Sequence, residues 1–492
     1  MPAIDELTKL IMRGLPGKDS RTQATEDTKL AIDGLFGERY QAKSPFARRV
    51  VLTPTDDQIQ FAGLVHQDSS TSGVYGGMSL IWFPVPAEGD EKACSLLTLV
   101  CGTRGLSPDE QILGRPGHVR HLRALQRYLK KQTNINSWVK PDPTNLSEAF
   151  PKLLQKSMHR FDSILKRYGS HIYFCAEVPA DFAQAKTLIS GLLDFYAWER
   201  NWQGLKSAEA EIENFKVQLR AQIFPRVSKQ EILDLLQQRH FVILQGPPGT
   251  GKTRMAADIL QSQYNRHGFS VQFHPAVSYE TFIAGISPRL DGDNLHFQVK
   301  PGWLVEAIRK CQDKPFLFHA DEINRADLAR ILGEAIYLFE PREISQGDAR
   351  KVKLPQPLED GTDTIAMPSN FYLLGTMNTA DRSIAIMDMA VRRRFAFVDM
   401  WPDIDVVAAQ NLGLATDAFA MLQDIFSQHA SEDSFCLMPG HSYFLADTEA
   451  ELRLRFKYEL LPLLREYLNE GRIASFDTEL RTYIDWLDNE VQ

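Results

Sequence analysis

Gly246-Pro247-Pro248-Gly249-Thr250-Gly251-Lys252-Thr253 matches the spacing of a phosphate-gripping loop, Gly-x-x-x-x-Gly-Lys-Ser/Thr, without a mismatch. Glycines there let backbone N–H groups converge on phosphate oxygens in conformations that a Cβ forbids. Lys252 would neutralise the β- and γ-phosphates, and Thr253 would ligate Mg²⁺. The N-terminus of the following helix would add partial positive charge. The expected nucleotide-binding set therefore runs from Gly246 through Thr253 to Arg254. A chance glycine-rich turn is the competing reading. It does not account for the apolar run at 241–244 before the loop or the helix-forming stretch 255–263 after it.

About seventy residues on, an apolar run at 316–320 ends in Asp321-Glu322. Beside a phosphate loop, this pair predicts Asp321 holding Mg²⁺ through its water shell and Glu322 polarising the attacking water. In isolation it would be only a surface pair at the end of a buried strand. A third run, 371–376, delivers Asn378, a candidate for positioning that water. Arg392, Arg393 and Arg394 follow. Three consecutive arginines cannot share one helix face, so one or two could project toward a neighbouring subunit, where a trans-acting arginine contributes about 10³–10⁵ in rate. Solvated ion pairs account for the triplet equally well from sequence alone.

From 226 onward strand-like and helix-like segments alternate, which implies an α/β fold: a parallel sheet flanked by helices. Strands are expected at 241–244, 270–273, 316–320, 371–376 and 396–400. A helical region follows over 401–492, clearest at 452–471 and 478–489. Residues 1–205 read as a separate mixed α/β domain, with strands at 49–52, 78–84, 96–101 and 171–178. Its helices are expected at 118–131, 146–168 and 182–201, with a polar loop over 14–25. A charged helical connector at 206–225 joins this domain to the core at 226–400. At 492 residues, about three domains is the expectation.

A net charge of −8 rules out a generally basic nucleic-acid binder, so any DNA contact must come from local patches. One candidate is the face carrying Arg120, Arg123, Arg127 and Lys130 or Lys131, although a solvated face is the plainer reading. Trp82, Phe83, Trp138 and Trp202 are expected in the core rather than around a flipped base. The five cysteines are scattered with no C-x-x-C pair, as in reduced cytoplasmic proteins. No signal pattern or membrane-spanning run occurs, so the expected location is the cytoplasm, with no membrane partner. The first 205 residues carry no Asp…Glu-x-Lys nuclease arrangement, which points to cleavage by a second protein.

The ordered set Gly246 to Thr253, Gln272-Phe273-His274-Pro275, Ser278-Tyr279-Glu280, Asp321-Glu322-Ile323-Asn324-Arg325, Met377-Asn378-Thr379-Ala380-Asp381-Arg382-Ser383, Arg392-Arg393-Arg394 and Gly440-His441-Ser442-Tyr443-Phe444 resembles the McrB family of AAA+ NTPases over about residues 225–470. The resemblance implies an AAA+ core with a C-terminal helical lid and makes Asn378 the sensor-1 residue. It assigns Asp381 and Arg382 to the segment through which a partner stimulates hydrolysis. It makes Arg393 the trans-acting finger, with Arg394 in reserve. It further implies a hexameric ring bound to a McrC-like nuclease subunit. DNA would be met through the N-terminal domain or the ring pore. GTP or ATP would be the substrate, since no Asn-Lys-x-Asp guanine code is present. His441, Arg453 and Arg455 are candidate lid contacts to nucleotide, with ordinary packing as the alternative. A MoxR-like ATPase remodelling protein complexes is the competing identity; the 377–383 segment and the large N-terminal region argue against it.

Overall fold

The computed structural model describes residues 2–41, 46–55, 57–69, 75–291, 294–381 and 387–491. The chain forms two compact units, Met1–Ile223 with Phe426–Ser431, and Phe224–Ile425 with Glu432–Gln492.

The first unit is built on six strands: β1 (Phe46–Val51), β2 (Phe61–His66), β3 (Met78–Val85), β4 (Cys94–Cys101), β5 (Ser137–Val139) and β6 (Ile172–Glu177). They pair antiparallel in the order β1-β2-β3-β4-β6-β5. Strand alternation explains why β3 reads as an unbroken apolar run. Leu80 and Trp82 face Leu7, Ile11 and Leu35 of the first two helices, while Ile81 and Phe83 join Phe150, Phe161 and Leu165 on the other face.

Strands β2 and β5 were not expected. The single helix expected at 146–168 is three pieces, Lys152–Ser157, His159–Phe161 and Asp162–Tyr168, because Pro151 precedes the first and Met158 leaves helical geometry. The expected loop at 14–25 is shorter, since the helix Arg21–Glu38 takes its last five residues. On the helix Pro116–Thr133 the basic stripe is interrupted. Arg120 is buried and donates to the carbonyls of Ser427 (2.8 Å) and Ala430 (2.7 Å), residues of the same unit. Arg123, Arg127, Lys130 and Lys131 remain exposed. Trp82 and Phe83 are core, Trp138 packs edge-on against Phe150, and Trp202 against Phe36 and Tyr196.

The second unit holds β7 (Phe241–Gly246), β8 (Gly268–Gln272), β9 (Ala284–Asp291), β10 (Asn294–Pro301), β11 (Phe316–Asp321), β12 (Lys351–Lys353), β13 (Thr364–Ala366), β14 (Phe371–Asn378) and β15 (Ala396–Asp399). Five of these form a parallel sheet in the order β15-β7-β14-β11-β8. Phe241 and Ile243 pack on one side with Phe318 and Leu373; Val242 and Leu244 pack on the other with Leu317 and Ile259. Both faces are therefore covered, as a parallel sheet requires. The antiparallel hairpin β9–β10 was not expected. Its register puts Ile286, Pro288, Leu290, Leu295, Phe297 and Val299 on one face, of which Ile286, Leu290, Leu295 and Phe297 are exposed.

The lid contains Glu449–Arg455, Leu461–Asn469 and Asp477–Glu490. The helix expected over 452–471 carries a π-turn at Phe456–Leu460, just before Pro462, whose missing N–H cannot continue the α pattern. Among the described residues no helix is long and apolar enough to cross a membrane, and all five cysteines are free thiols.

Candidate functional site

Parallel register brings the chemistry to one end of the sheet. Asn378 at the tip of β14 lies opposite Gly246 at the tip of β7, and Ala320 of β11 lies opposite Gly375 of β14. Three strand ends therefore meet at neighbouring-strand spacing, about 4.8 Å apart. The loop between β7 and the helix Lys252–Ser262 turns on Gly249 and Gly251, both at φ +79°. A Cβ on Gly249 would lie 2.4 Å from Ser442 Oγ, and one on Gly440 would lie 2.1 Å from the Gly249 carbonyl carbon. The lid segment clasps the loop from outside: Gly440 N–H donates to Pro248 O (2.9 Å) and Ser442 N–H to Gly249 O (3.0 Å).

Lys252 Nζ donates to the carbonyls of Gly246 (3.0 Å) and Pro247 (2.6 Å). Burial pushes its ammonium down to about 8, with Glu322 and Asp321 partly offsetting the shift. Thr253 Oγ1 donates to Asp321 Oδ1 at 2.8 Å, and the Thr376 hydroxyl donates to the same oxygen. A hydroxyl and a carboxylate placed together at a helix N-terminus are hard oxygen donors, a set that fits Mg²⁺. Asn378 Nδ2 donates to Glu322 Oε1 at 2.6 Å, and Arg325 Nε reaches Glu322 Oε2 at 3.2 Å. Glu322 is in the left-handed region at φ +54°. For a non-glycine residue this conformation costs on the order of 1 kcal/mol, and its backbone N–H is held by Thr376 Oγ1 at 3.2 Å.

Beside the loop lies a cavity of about 520 Å³, within the size range of small-molecule sites. Thr250, Gly251 and Arg254 form one wall, Phe224 and Arg226 another, and Trp401, Asp403 and His441 close it. Arg226 bridges Asp403 (2.7 Å) and Asp405 (2.5 Å). Burial lowers the His441 pKa, keeping the ring neutral, and its Nδ1 accepts from the Asp403 N–H at 3.3 Å.

The structure thus brings together the loop residues Gly246, Pro247, Pro248, Gly249, Thr250, Gly251, Lys252, Thr253 and Arg254 with Asp321, Glu322 and Asn378. Asp381 lies nearby, 3.8 Å from Arg325; Arg382 lies outside the described residues. The arginine triplet is elsewhere. Ala396 pairs with Val242, so Arg393 and Arg394 sit at the amino ends of the strands, opposite the loop. The Arg393 side chain is 68% exposed, whereas Arg394 is buried on Glu340 at 3.0 Å. Arg392 stacks over Phe397. Arg455 donates to Ser442 O (3.0 Å), behind the loop, while Arg453 pairs with Glu449 at the surface.

Sequence reasoning gave no role to Thr376, none to Arg325 beyond its place in the motif, and none to the walls formed by Phe224, Arg226, Trp401 and Asp403. Thr376 was within reach, because it stands two residues before Asn378 on the same strand face. The walls come from segments far apart in the chain and carry no local signal.

Comparison with known proteins matches residues 241–395 to the AAA domain (dynein-related subfamily) and 433–474 to the McrB alpha-helical lid domain. The Type IV methyl-directed restriction enzyme EcoKMcrB subunit of Escherichia coli (strain K12) is 28% identical over 333 residues, covering 61% of this chain and 71% of that protein. The Type II restriction enzyme BsuMI component YdiS of Bacillus subtilis (strain 168) is 26% identical over 189 residues, covering 32% and 55%. A solved RuvB mutant from Thermotoga maritima is 12% identical with a TM-score of 0.25, covering 54% of this chain and 71% of that one. In the second unit, an AAA domain followed by a McrB-type lid makes this chain similar to McrB-type AAA+ proteins.

Proposed function

We propose that this chain is the nucleotide-hydrolysing subunit of a DNA restriction complex in the cytoplasm. In this reading it works as a hexameric ring and drives a separate McrC-like endonuclease subunit. The observation that carries the reading is the double pairing at the strand tips: Thr253 with Asp321, and Asn378 with Glu322, both against the loop that holds Lys252. Restriction-system relatives supply the biological context.

GTP or ATP is the substrate. The loop amides and Lys252 hold its phosphates, and the 520 Å³ cavity takes the base. Mg²⁺, held by Thr253 and Asp321, supplies charge neutralisation on the phosphates. Asn378 fixes the Glu322 carboxylate, which takes a proton from water as the water oxygen attacks the γ-phosphorus and the bond to the β-bridging oxygen breaks. Arg393 stabilises that charge in trans, and Asp381 and Arg382 transmit the partner's stimulation. The first unit recognises DNA.

Mixing variants tests the ring. Arg393→Ala copies keep an intact loop, and Glu322→Gln copies keep an intact finger, so a mixture should regain turnover that neither has alone. No recovery at any ratio would contradict hydrolysis shared between subunits. Purification from the native host should also recover a McrC-like nuclease; a von Willebrand-type protein in its place would favour the protein-remodelling reading.

A further inference from the structure

At the amino ends of the strands a cleft of about 790 Å³ is lined by Arg239, Arg342, Arg350 and Arg393, with Glu340 the acid among its walls. Most of that acid's capacity is already used, since Glu340 holds the buried Arg394 at 3.0 Å. Arg350 is neutralised by Glu343 at 2.6 Å. Arg239 and Arg342 are exposed, and neither makes a side-chain hydrogen bond or ion pair with any described residue. Arg393 reaches only the same Glu340, at 3.8 Å, so three exposed arginines line one cleft with a single shared acid beside them. Such a cluster repels itself unless an anion joins it, and the planar fork of arginine matches phosphate oxygens in pairs.

The chain's own nucleotide cannot be that anion. Arg239 stands two residues before Phe241, while the phosphate loop begins at Gly246, the far end of the same strand. Five residues of extended chain span about 17 Å, farther than an arginine side chain reaches. Arg393 is held at the same end by the pairing of Ala396 with Val242.

We propose that this cleft receives the triphosphate bound to a second copy of the chain, and that Arg239 and Arg342 hold its outward phosphate oxygens alongside Arg393. The proposal rests on the trans-acting reading of Arg393 and extends it from one finger to a three-arginine cradle.

The test uses the full chain carrying Arg239→Ala and Arg342→Ala together. Both side chains are exposed, so the fold should be intact, and nucleotide binding by the variant's own loop should match wild type. Turnover should fall about ten- to hundred-fold, the scale of losing charge-assisted contacts. Adding Glu322→Gln copies, whose cleft is intact, should restore part of it. Wild-type turnover in the double variant overturns the proposal, and so does a loss that Glu322→Gln copies do not relieve. DNA retention is measured in parallel. Weakened DNA binding with full turnover would assign the cleft to nucleic-acid phosphates instead and overturn the proposal. Arg393→Ala separates the two failures: if it is defective while the double variant is not, only the cradle falls, and if it turns over like wild type, the finger reading falls.

Discussion

Raising the pH from 7 to 9 is expected to weaken nucleotide binding about ten-fold, through Lys252 alone. Burial among the loop carbonyls holds its ammonium near 8 in the nucleotide-free protein. About nine-tenths of molecules then carry the charge at pH 7 and about one-tenth at pH 9. Bound phosphates favour the charged form, so the complex keeps the proton across this window while the free protein loses it. Binding therefore takes up a proton above the free-state value, and affinity falls as pH rises. The difference is about 1.4 kcal/mol between the two pH values. The last phosphate proton leaves near pH 6, below the window, so the ligand adds no slope of its own. Equilibrium titration with a fluorescent nucleotide reads the effect, and Lys252→Arg, which stays charged throughout, is the control. A flat wild-type profile, or a parallel decline in Lys252→Arg, would refute the reasoning.

Three further substitutions separate structure from chemistry. Arg394→Ala should lower stability by about 2 kcal/mol, because it leaves the half-buried Glu340 without the partner at 3.0 Å, while Arg393→Ala should change stability by less than about 0.5 kcal/mol. Thermal unfolding of both variants checks this, and equal losses would remove the distinction between them. Gly249→Ala should cost about 1–3 kcal/mol and weaken nucleotide binding, since its Cβ meets Ser442 Oγ at 2.4 Å in a backbone conformation suited to glycine. Unchanged affinity in that variant would mean the lid clasp does not shape the loop.

The placement of the loop and the acids at one end of the sheet was legible because its signals are local. A glycine loop between an apolar run and a helix, and acids directly after a second run, state both chemistry and position. The roles that depend on packing were not legible. Arg393 and Arg394 are neighbours in sequence, yet one projects into solvent and the other turns in to Glu340, a difference set by a residue more than fifty positions away. Arg120 belongs to a basic stripe on paper, but it finds backbone carbonyls of Ser427 and Ala430 and leaves the surface. The hairpin Ala284–Pro301 was within reach, because Ile286 and Leu290, then Leu295, Phe297 and Val299, recur at even spacing on either side of an Asp-Gly pair, which is a hairpin signal. Strand β2 lacks polar alternation because it is buried along most of its length.

Phosphate release and nucleotide affinity measured side by side for wild type and Glu322→Gln, with Mg²⁺ and with GTP and ATP in turn, test the central claim most directly. Wild type should turn over at least one of the two nucleotides. The variant should bind that nucleotide with unchanged affinity and lose turnover by about 10²–10⁴. Turnover in Glu322→Gln equal to wild type would contradict the assignment of this carboxylate as the base acting on a nucleotide held by the loop.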